Sequence, residues 1–326
     1  QLVTNVHQIL KNAPSSSTRW RAETYFLIGE GYYALGKYSE AARIYELLSK
    51  NFPGSPLLTR AYQAISSSYA RMGEYEKACD FQEKALARAQ EEGGEGSALS
   101  LLEMGNILFN KKDYGKAISY YEEFIKRSPG SPRVSQALYQ EGVALYHLEY
   151  FSEAIKKWEK VGKEYGRDEL APRALLQAGK TYFGLGKYGE ALSSYQWILD
   201  KYPSSDMVRE AVLQIGQCYY NQGKIQDAIT QYEKFIKDYP EDERGGAVLE
   251  QLQMSYYRQG KSVEELEKLI DQFATSRFAA DTYWKLGAEA FNRKNYALAQ
   301  KYFQKVVLDF PESTSAAQAF YYQAEC

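Results

Sequence analysis

The sequence is poor in the residues that carry most protein chemistry. It holds two histidines, His7 and His147, and three cysteines, Cys79, Cys218 and Cys326. Two histidines are too few for a histidine-based metal cluster. Three cysteines with no CxxC pair make neither a disulfide framework nor a zinc site. No window approaches the roughly 18 consecutive apolar residues of a membrane helix. Charge of either sign is not in excess: 40 basic residues face 42 acidic ones, a formal net charge of −2. A general nucleic-acid binder, an RNA-binding helical repeat included, needs a basic surplus or stripe. A polybasic membrane-surface protein needs one too. The GxSxG elbow, the HExxH pair and the EF-hand loop are all missing. Residues 174–181, ALLQAGKT, spell a phosphate loop, but that chemistry requires a glycine-rich loop after a strand, and these residues sit inside a helical pattern.

What the chain does have is tyrosine, 30 residues of 326, and small residues at fixed intervals. Self-similarity at a fixed period decides a fold before any local pattern does. One alanine column reads Ala41, Ala78, Ala117, Ala154, Ala191, Ala228 and Ala299. Twelve residues earlier stands a second column: Gly29, Ser66, Gly105, Gly142, Gly179, Gly216, Gln253 and Gly287. Small side chains on both let two helix axes approach closely. Between them lie Gly36, Gly73, Gly186, Gly223 and Gly260, placed to end a helix in the left-handed conformation. Pro53, Pro129, Pro203, Pro240 and Pro311 close each unit. Within 172–203, Ala174, Leu175, Ala178, Tyr182 and Leu185 recur at helical spacing, as do Tyr188, Ala191, Leu192, Tyr195 and Ile198. Each unit is therefore helix A, tight turn, helix B and a proline loop, and the chain is all-α.

These columns, with the aromatic before the alanine (Tyr38, Tyr75, Tyr114, Phe151, Tyr188 and Tyr296), resemble the tetratricopeptide repeat (TPR) family over nearly the whole chain. The resemblance implies an α-solenoid of about eight helix-turn-helix repeats wound into a right-handed superhelix, one domain over 1–326. The full repeats are expected near 22–53, 59–90, 98–129, 135–166, 172–203, 209–240, 246–274 and 280–311, with partial ones at 1–13 and 314–326. The open ends lead us to expect a fragment of a longer chain. Loops such as SPGSPRVSQA and YPSSDMVREA are similar to a bacterial cell-envelope subgroup that includes the outer-membrane assembly lipoprotein BamD and the Tol-Pal-associated protein YbgF (CpoB). That likeness implies a periplasmic or outer-membrane-associated scaffold.

Two units depart from the pattern. Residues 89–98, AQEEGGEGSA, read as a solvated acidic loop, with a flexible joint as the alternative. The seventh unit has Gln253 and Glu265 at its small-residue positions. Sliding its second helix by one residue gives a stripe of Val263, Leu266, Ile270 and Phe273, and predicts a local kink. Cys79 and Cys218, next to Ala78 and Gly216, read as buried inert thiols. His147 reads as a helix C-terminal histidine facing the last carbonyls, or as a groove contact.

One feature exceeds what packing needs. Tyr33, Ala70, Phe109, Tyr146, Phe183, Tyr220, Tyr257 and Phe291 directly follow the packing residue at the end of each helix A. Neighbours on a helix point about 100° apart, so both columns cannot face the same helix B. Either the second column lines the inner wall or it packs between adjacent A helices. In the resembled family helix A lines a concave surface that binds peptides. The resemblance thus implies a binding groove of Tyr33, Phe109, Tyr139, Tyr146, Phe183, Tyr220, Tyr257, Trp284 and Phe291, with Phe26, Leu176 and Leu213 on the same wall. The family's carboxylate-gripping set of Lys, Asn and Arg is not repeated, since Asn106 falls in the third unit and Lys180 and Arg173 in the fifth. The expected function is a non-enzymatic scaffold for protein partners, with no cofactor, no metal and no nucleic acid. The alternative is a glycan or peptidoglycan binder that stacks sugars on the groove aromatics.

Overall fold

Each helix pair is set by the way its first helix ends. In the computed structural model, which describes residues 18–93, 95–260, 263–272 and 279–326, Gly36 takes φ +72°. Its N–H donates to the Tyr33 carbonyl (3.0 Å), and the Lys37 N–H reaches back to Tyr32 (2.9 Å). That double bond is the Schellman closure, which satisfies the last carbonyls of a helix and reverses the chain. The same pair recurs at Gly73, Gly186 and Gly223. Lys112, Glu149 and Lys294 fill the same left-handed position without being glycine, at φ +62° to +67°.

Every regular element among the described residues is an α-helix. The chain divides into two compact units, 1–171 and 172–326. The first contains the pairs α1 (Thr18–Ala34) and α2 (Tyr38–Asn51), α3 (Leu58–Arg71) and α4 (Tyr75–Glu92), α5 (Glu95–Asn110) and α6 (Tyr114–Arg127), and α7 (Val134–His147) and α8 (Phe151–Glu164). α9 (Leu170–Gly184) begins at its end and, with α10 (Tyr188–Lys201), opens the second. There follow α11 (Met207–Asn221) and α12 (Ile225–Asp238), α13 (Gly245–Gln259) and α14 (Val263–Gln272), α15 (Ala279–Asn292) and α16 (Tyr296–Asp309), and the single helix α17 (Ala316–Glu325). Residues 1–13 lie outside the described residues.

Within a pair, one ring fills the place of a missing side chain. A Cβ on Gly29, Gly105, Gly142, Gly179, Gly216 or Gly287 would lie 2.4–2.6 Å from Tyr45, Tyr121, Trp158, Tyr195, Tyr232 or Phe303. These rings are buried and form the core of their pairs. The second pair replaces ring and glycine with polar groups: Ser66 Oγ donates to the Ala78 carbonyl (2.7 Å) and Gln82 Nε2 to that of Ser100 (3.0 Å). The alanine column is buried without exception.

Loops between repeats are capped by a polar residue. Ser55, Ser131 and Ser205 accept from the backbone N–H two residues on, and Asp168 and Asp242 do the same with a carboxylate. Such turns let short polar side chains replace lost backbone partners. Those loops are also tied one repeat back, by Ser135 donating to Asp168, Thr59 donating to Glu92 (2.9 Å) and Arg209 pairing with Asp242 (3.6 Å).

One expectation changes. The segment 89–98 is largely helical rather than a loop: α4 runs to Glu92, α5 starts at Glu95, and Gly93, at φ +73°, follows the end of α4. Longer helices therefore account for the 39-residue period there. The stripe expected in the seventh pair is described only at Ile270, which is buried; Phe273 lies outside the described residues. The phosphate-loop spelling sits inside α9, where Lys180 pairs with Glu210 (2.8 Å) and Thr181 donates to the Gln177 carbonyl (2.8 Å).

Candidate functional site

The Schellman turn places the second aromatic column. Its residues stand next to last in the first helix, or third from last for Tyr257, and contribute the carbonyl that the left-handed residue caps. From there five rings fold onto the ring that opens the second helix of the same repeat: Tyr33 on Tyr38, Phe109 on Tyr114, Tyr146 on Phe151, Phe183 on Tyr188 and Phe291 on Tyr296. Centroids lie 5.1–5.4 Å apart at 63–73°, the edge-to-face arrangement that ring quadrupoles favour. The column therefore packs first against its own turn and is not left fully in solvent. It closes its own turn and leaves part of each ring outside.

How much stays outside depends on the next repeat. The residue 38 positions after a ring sits over it when it is cationic or aromatic. Arg71 Nε donates to the Tyr33 hydroxyl (3.4 Å), and the Arg258 guanidinium lies 4.9 Å from the Tyr220 centroid. His147 lies 6.0 Å from Phe109 and stacks flat on Tyr114 at 4.6 Å. Its contacts are thus rings, one of them in the predicted wall, which agrees with the second of its two readings rather than the first. Asn292 occupies the corresponding place after Tyr257, and Tyr257 is 39 % exposed. Tyr146 is 44 % exposed. Among the described residues Phe183, Tyr220 and Tyr257 share no ring contact, so the rungs stand apart.

The rest of the predicted wall divides. Tyr139 and Trp284 are half-buried, and Trp284 and Phe291 both meet Tyr322 of α17, at 6.5 and 5.5 Å. Phe26, Leu176 and Leu213 are buried, contrary to expectation. Phe26 packs on Tyr45 at 5.4 Å under the Arg60 guanidinium. These three face the neighbouring helices because their side chains lie on the flank of helix A.

In the first unit the wall opens into a groove of 580 Å³. Tyr33 and Phe109 bound it, and Ala70, Arg71, Asn106 and Gln136 line it. Asn106 is held from both sides: its carbonyl accepts from the Tyr121 hydroxyl (3.1 Å) and its amide donates to Glu103 (3.4 Å). Burial pushes the Tyr121 phenol up, so it remains a donor. Arg133 offsets the Glu103 charge at 3.7 Å. Such a lining can hydrogen-bond and stack, but it assembles no nucleophile with a base. Burial pushes the Cys218 thiol up to about 12 and also raises Cys79, which keeps both protonated. Among the described residues no group of His, Cys, Asp and Glu could hold a metal ion, and no helix is long and apolar enough to cross a membrane.

Comparison with known proteins follows the same repeats. Tetratricopeptide repeat models match residues 57–130 and 102–168, and four separate segments at 23–55, 173–205, 210–242 and 281–313. No curated protein matches the chain. Among solved structures, the C-terminal part of a TPR repeat-containing protein from Cytophaga hutchinsonii is 17 % identical, with a TM-score of 0.56, covering 90 % of this chain and 98 % of that one. PilW, a type IV pilus biogenesis factor, is 16 % identical at a TM-score of 0.49, covering 70 % and 98 %. The pilF product of Pseudomonas aeruginosa is 17 % identical at 0.47, covering 69 % and 94 %. Likeness at these identities is likeness of fold.

Proposed function

Since the chain belongs to the tetratricopeptide repeat family, we propose that it is a non-enzymatic scaffold whose inner wall binds a segment of a partner polypeptide. One observation carries the reading: a column of rings anchored at their base by the helix turn and open on one side, in every repeat but the second. Rigid, partly buried rings make interface anchors because they add large contact area at little entropy cost. The scaffold's wall runs through Tyr33, Phe109 and Tyr146 in the first unit and through Phe183, Tyr220 and Tyr257 in the second. Its setting is the assembly or organisation of a bacterial envelope complex, on the periplasmic or outer-membrane side. The loop sequences SPGSPRVSQA and YPSSDMVREA support that setting, and cell fractionation checks it; a cytoplasmic protein would sink it.

The binding reading is tested with Phe183→Ala and Tyr220→Ala. Each should weaken retention of a decapeptide library about tenfold or more, the cost of a lost anchor. Melting temperature should fall by less than for a buried core ring, because both rings are only half-buried where they pack against the core. Unchanged retention with a large fall in melting would mean that the rings are only turn packing.

A further inference from the structure

The second repeat breaks the ring pairing, and breaks it on one side only. Tyr75 opens α4 at the place where Tyr38, Tyr114, Phe151, Tyr188 and Tyr296 receive a ring from the preceding turn. Ala70 stands where that ring should come from. Tyr75 is half-buried and has no ring partner among the described residues. The vacated space is part of the 580 Å³ groove and lies between the flanking rings Tyr33 and Phe109. Across it, Gln136 and Gln140 stand one turn apart on α7 and line the same groove. Neither side chain has a hydrogen bond within the protein among the described residues. A primary amide offers a donor and an acceptor together, which is what one peptide unit of an extended chain presents in return.

We infer that this groove hosts one aromatic side chain of an extended partner segment, seated edge-on against Tyr75 in place of the ring that Ala70 lacks, with the segment's backbone held by Gln136 and Gln140. The inference rests on the groove reading above and names the occupant of one stretch of it. An aromatic guest is favoured over an aliphatic one because the host ring offers a quadrupole as well as area. Arg71, exposed at the mouth and directed to the Tyr33 hydroxyl, repels a flanking Lys or Arg. Glu103 does not reverse that, because Arg133 already faces it. The guest segment is therefore aromatic and not basic.

The test is an array of decapeptides that carry Phe, Tyr or Trp at one position, against the same peptides with Leu or Lys there, probed with the whole chain. Aromatic peptides should be retained at least tenfold better than their Leu counterparts. Ala70→Phe, which supplies the ring that the other repeats have, should abolish that preference without lowering the melting temperature. Should Ala70→Phe fail to fold, Gln136→Ala with Gln140→Ala serves instead and should weaken every aromatic peptide about tenfold. Equal retention of Leu and aromatic peptides overturns the inference. So does a preference that survives Ala70→Phe or, where that variant does not fold, aromatic-peptide retention that the double glutamine variant leaves unchanged. If retention falls in Phe183→Ala and Tyr220→Ala but not in Ala70→Phe, the inference fails and the groove reading stands. If the wild-type chain retains no peptide, both fail.

Discussion

The ring of Tyr195 occupies the place of a side chain at Gly179: a Cβ there would lie 2.4 Å from it. Tyr195 is fully buried, with Ala191 one turn before it, so the ring has no room to retreat. Gly179→Ala should therefore cost about 1–3 kcal/mol, the usual range for overpacking a helix contact. The loss should stay near repeat five, because stacked repeats contact only their neighbours. Hydrogen exchange that rose equally in all repeats would contradict this.

The same ring makes a prediction of opposite sign. The Tyr195 and Tyr232 hydroxyls are buried with no hydrogen-bond partner, whereas Tyr121, at the equivalent place, donates to Asn106. Repeat eight has Phe303 there. Tyr195→Phe and Tyr232→Phe should each stabilise by about 1 kcal/mol, since an unmade buried hydrogen bond costs that or more. Tyr121→Phe should not. Urea midpoints measure all three, and a destabilised Tyr195→Phe would show that the hydroxyl is satisfied.

These contacts were legible because a close helix crossing leaves a compositional trace, and the glycine and alanine columns are that trace. The turns were legible for the same reason, through Gly36 and its equivalents. What Phe109 or Phe183 touches was not, since the contact with Tyr114 or Tyr188 spans a reversal of the chain. Phe26, Leu176 and Leu213 were misplaced because the flank of helix A meets the next repeat, and sequence spacing within one helix does not show that neighbour. Two signals were present and missed. The Ser or Asp two residues after the loop proline, as in PGS and PED, announces the loop cap. Arg71, His147 and Arg258 each follow a groove ring by 38 residues, one period plus one. Ala70 was visible as the exception in its column, but the open ring of Tyr75 beside it was not.

Acid should loosen the second unit through one aspartate. Arg244 hydrogen-bonds Asp242 (2.7 Å), whose side chain is 8 % exposed, and holds its carboxyl down at about 2. The same guanidinium reaches Glu210 at 2.5 Å. Burial alone would raise Glu210, but Lys180 and Arg244 keep it low. A folded-state value below the unfolded one gives stability that is complete above about pH 4 and lost as pH falls toward 2. Asp242→Asn should cost about 1–2 kcal/mol at neutral pH and flatten that acid limb. Urea melts at pH 7, 4 and 2.5 measure it; an acid limb unchanged by the substitution would assign it to other carboxylates.

The first unit carries the reverse case. Glu141 is fully buried on α7, at a position where Ile65, Met104, Ile215 and Leu286 stand in other repeats. Burial pushes its carboxyl up, against the pull of Lys157 Nζ at 2.5 Å and the more distant Lys160, while Glu122 adds to the rise. A carboxyl raised above its unfolded value contributes stability only below the unfolded pKa and loses it as pH rises through the folded one. At neutral pH the charge is thus a burden that Lys157 offsets in part. Glu141→Leu should leave stability at pH 7 unchanged or raise it by about 1–4 kcal/mol, as when buried ion pairs give way to apolar side chains, because Lys157 can carry its ammonium to water. Lys157→Met should cost about 3–5 kcal/mol at pH 7, since it strands the carboxylate, and much less at pH 4, where the carboxyl holds its proton. The contrast is the test. If Glu141→Leu loses stability at pH 7 as Lys157→Met does, the pair is a net support of the repeat rather than a compensated defect.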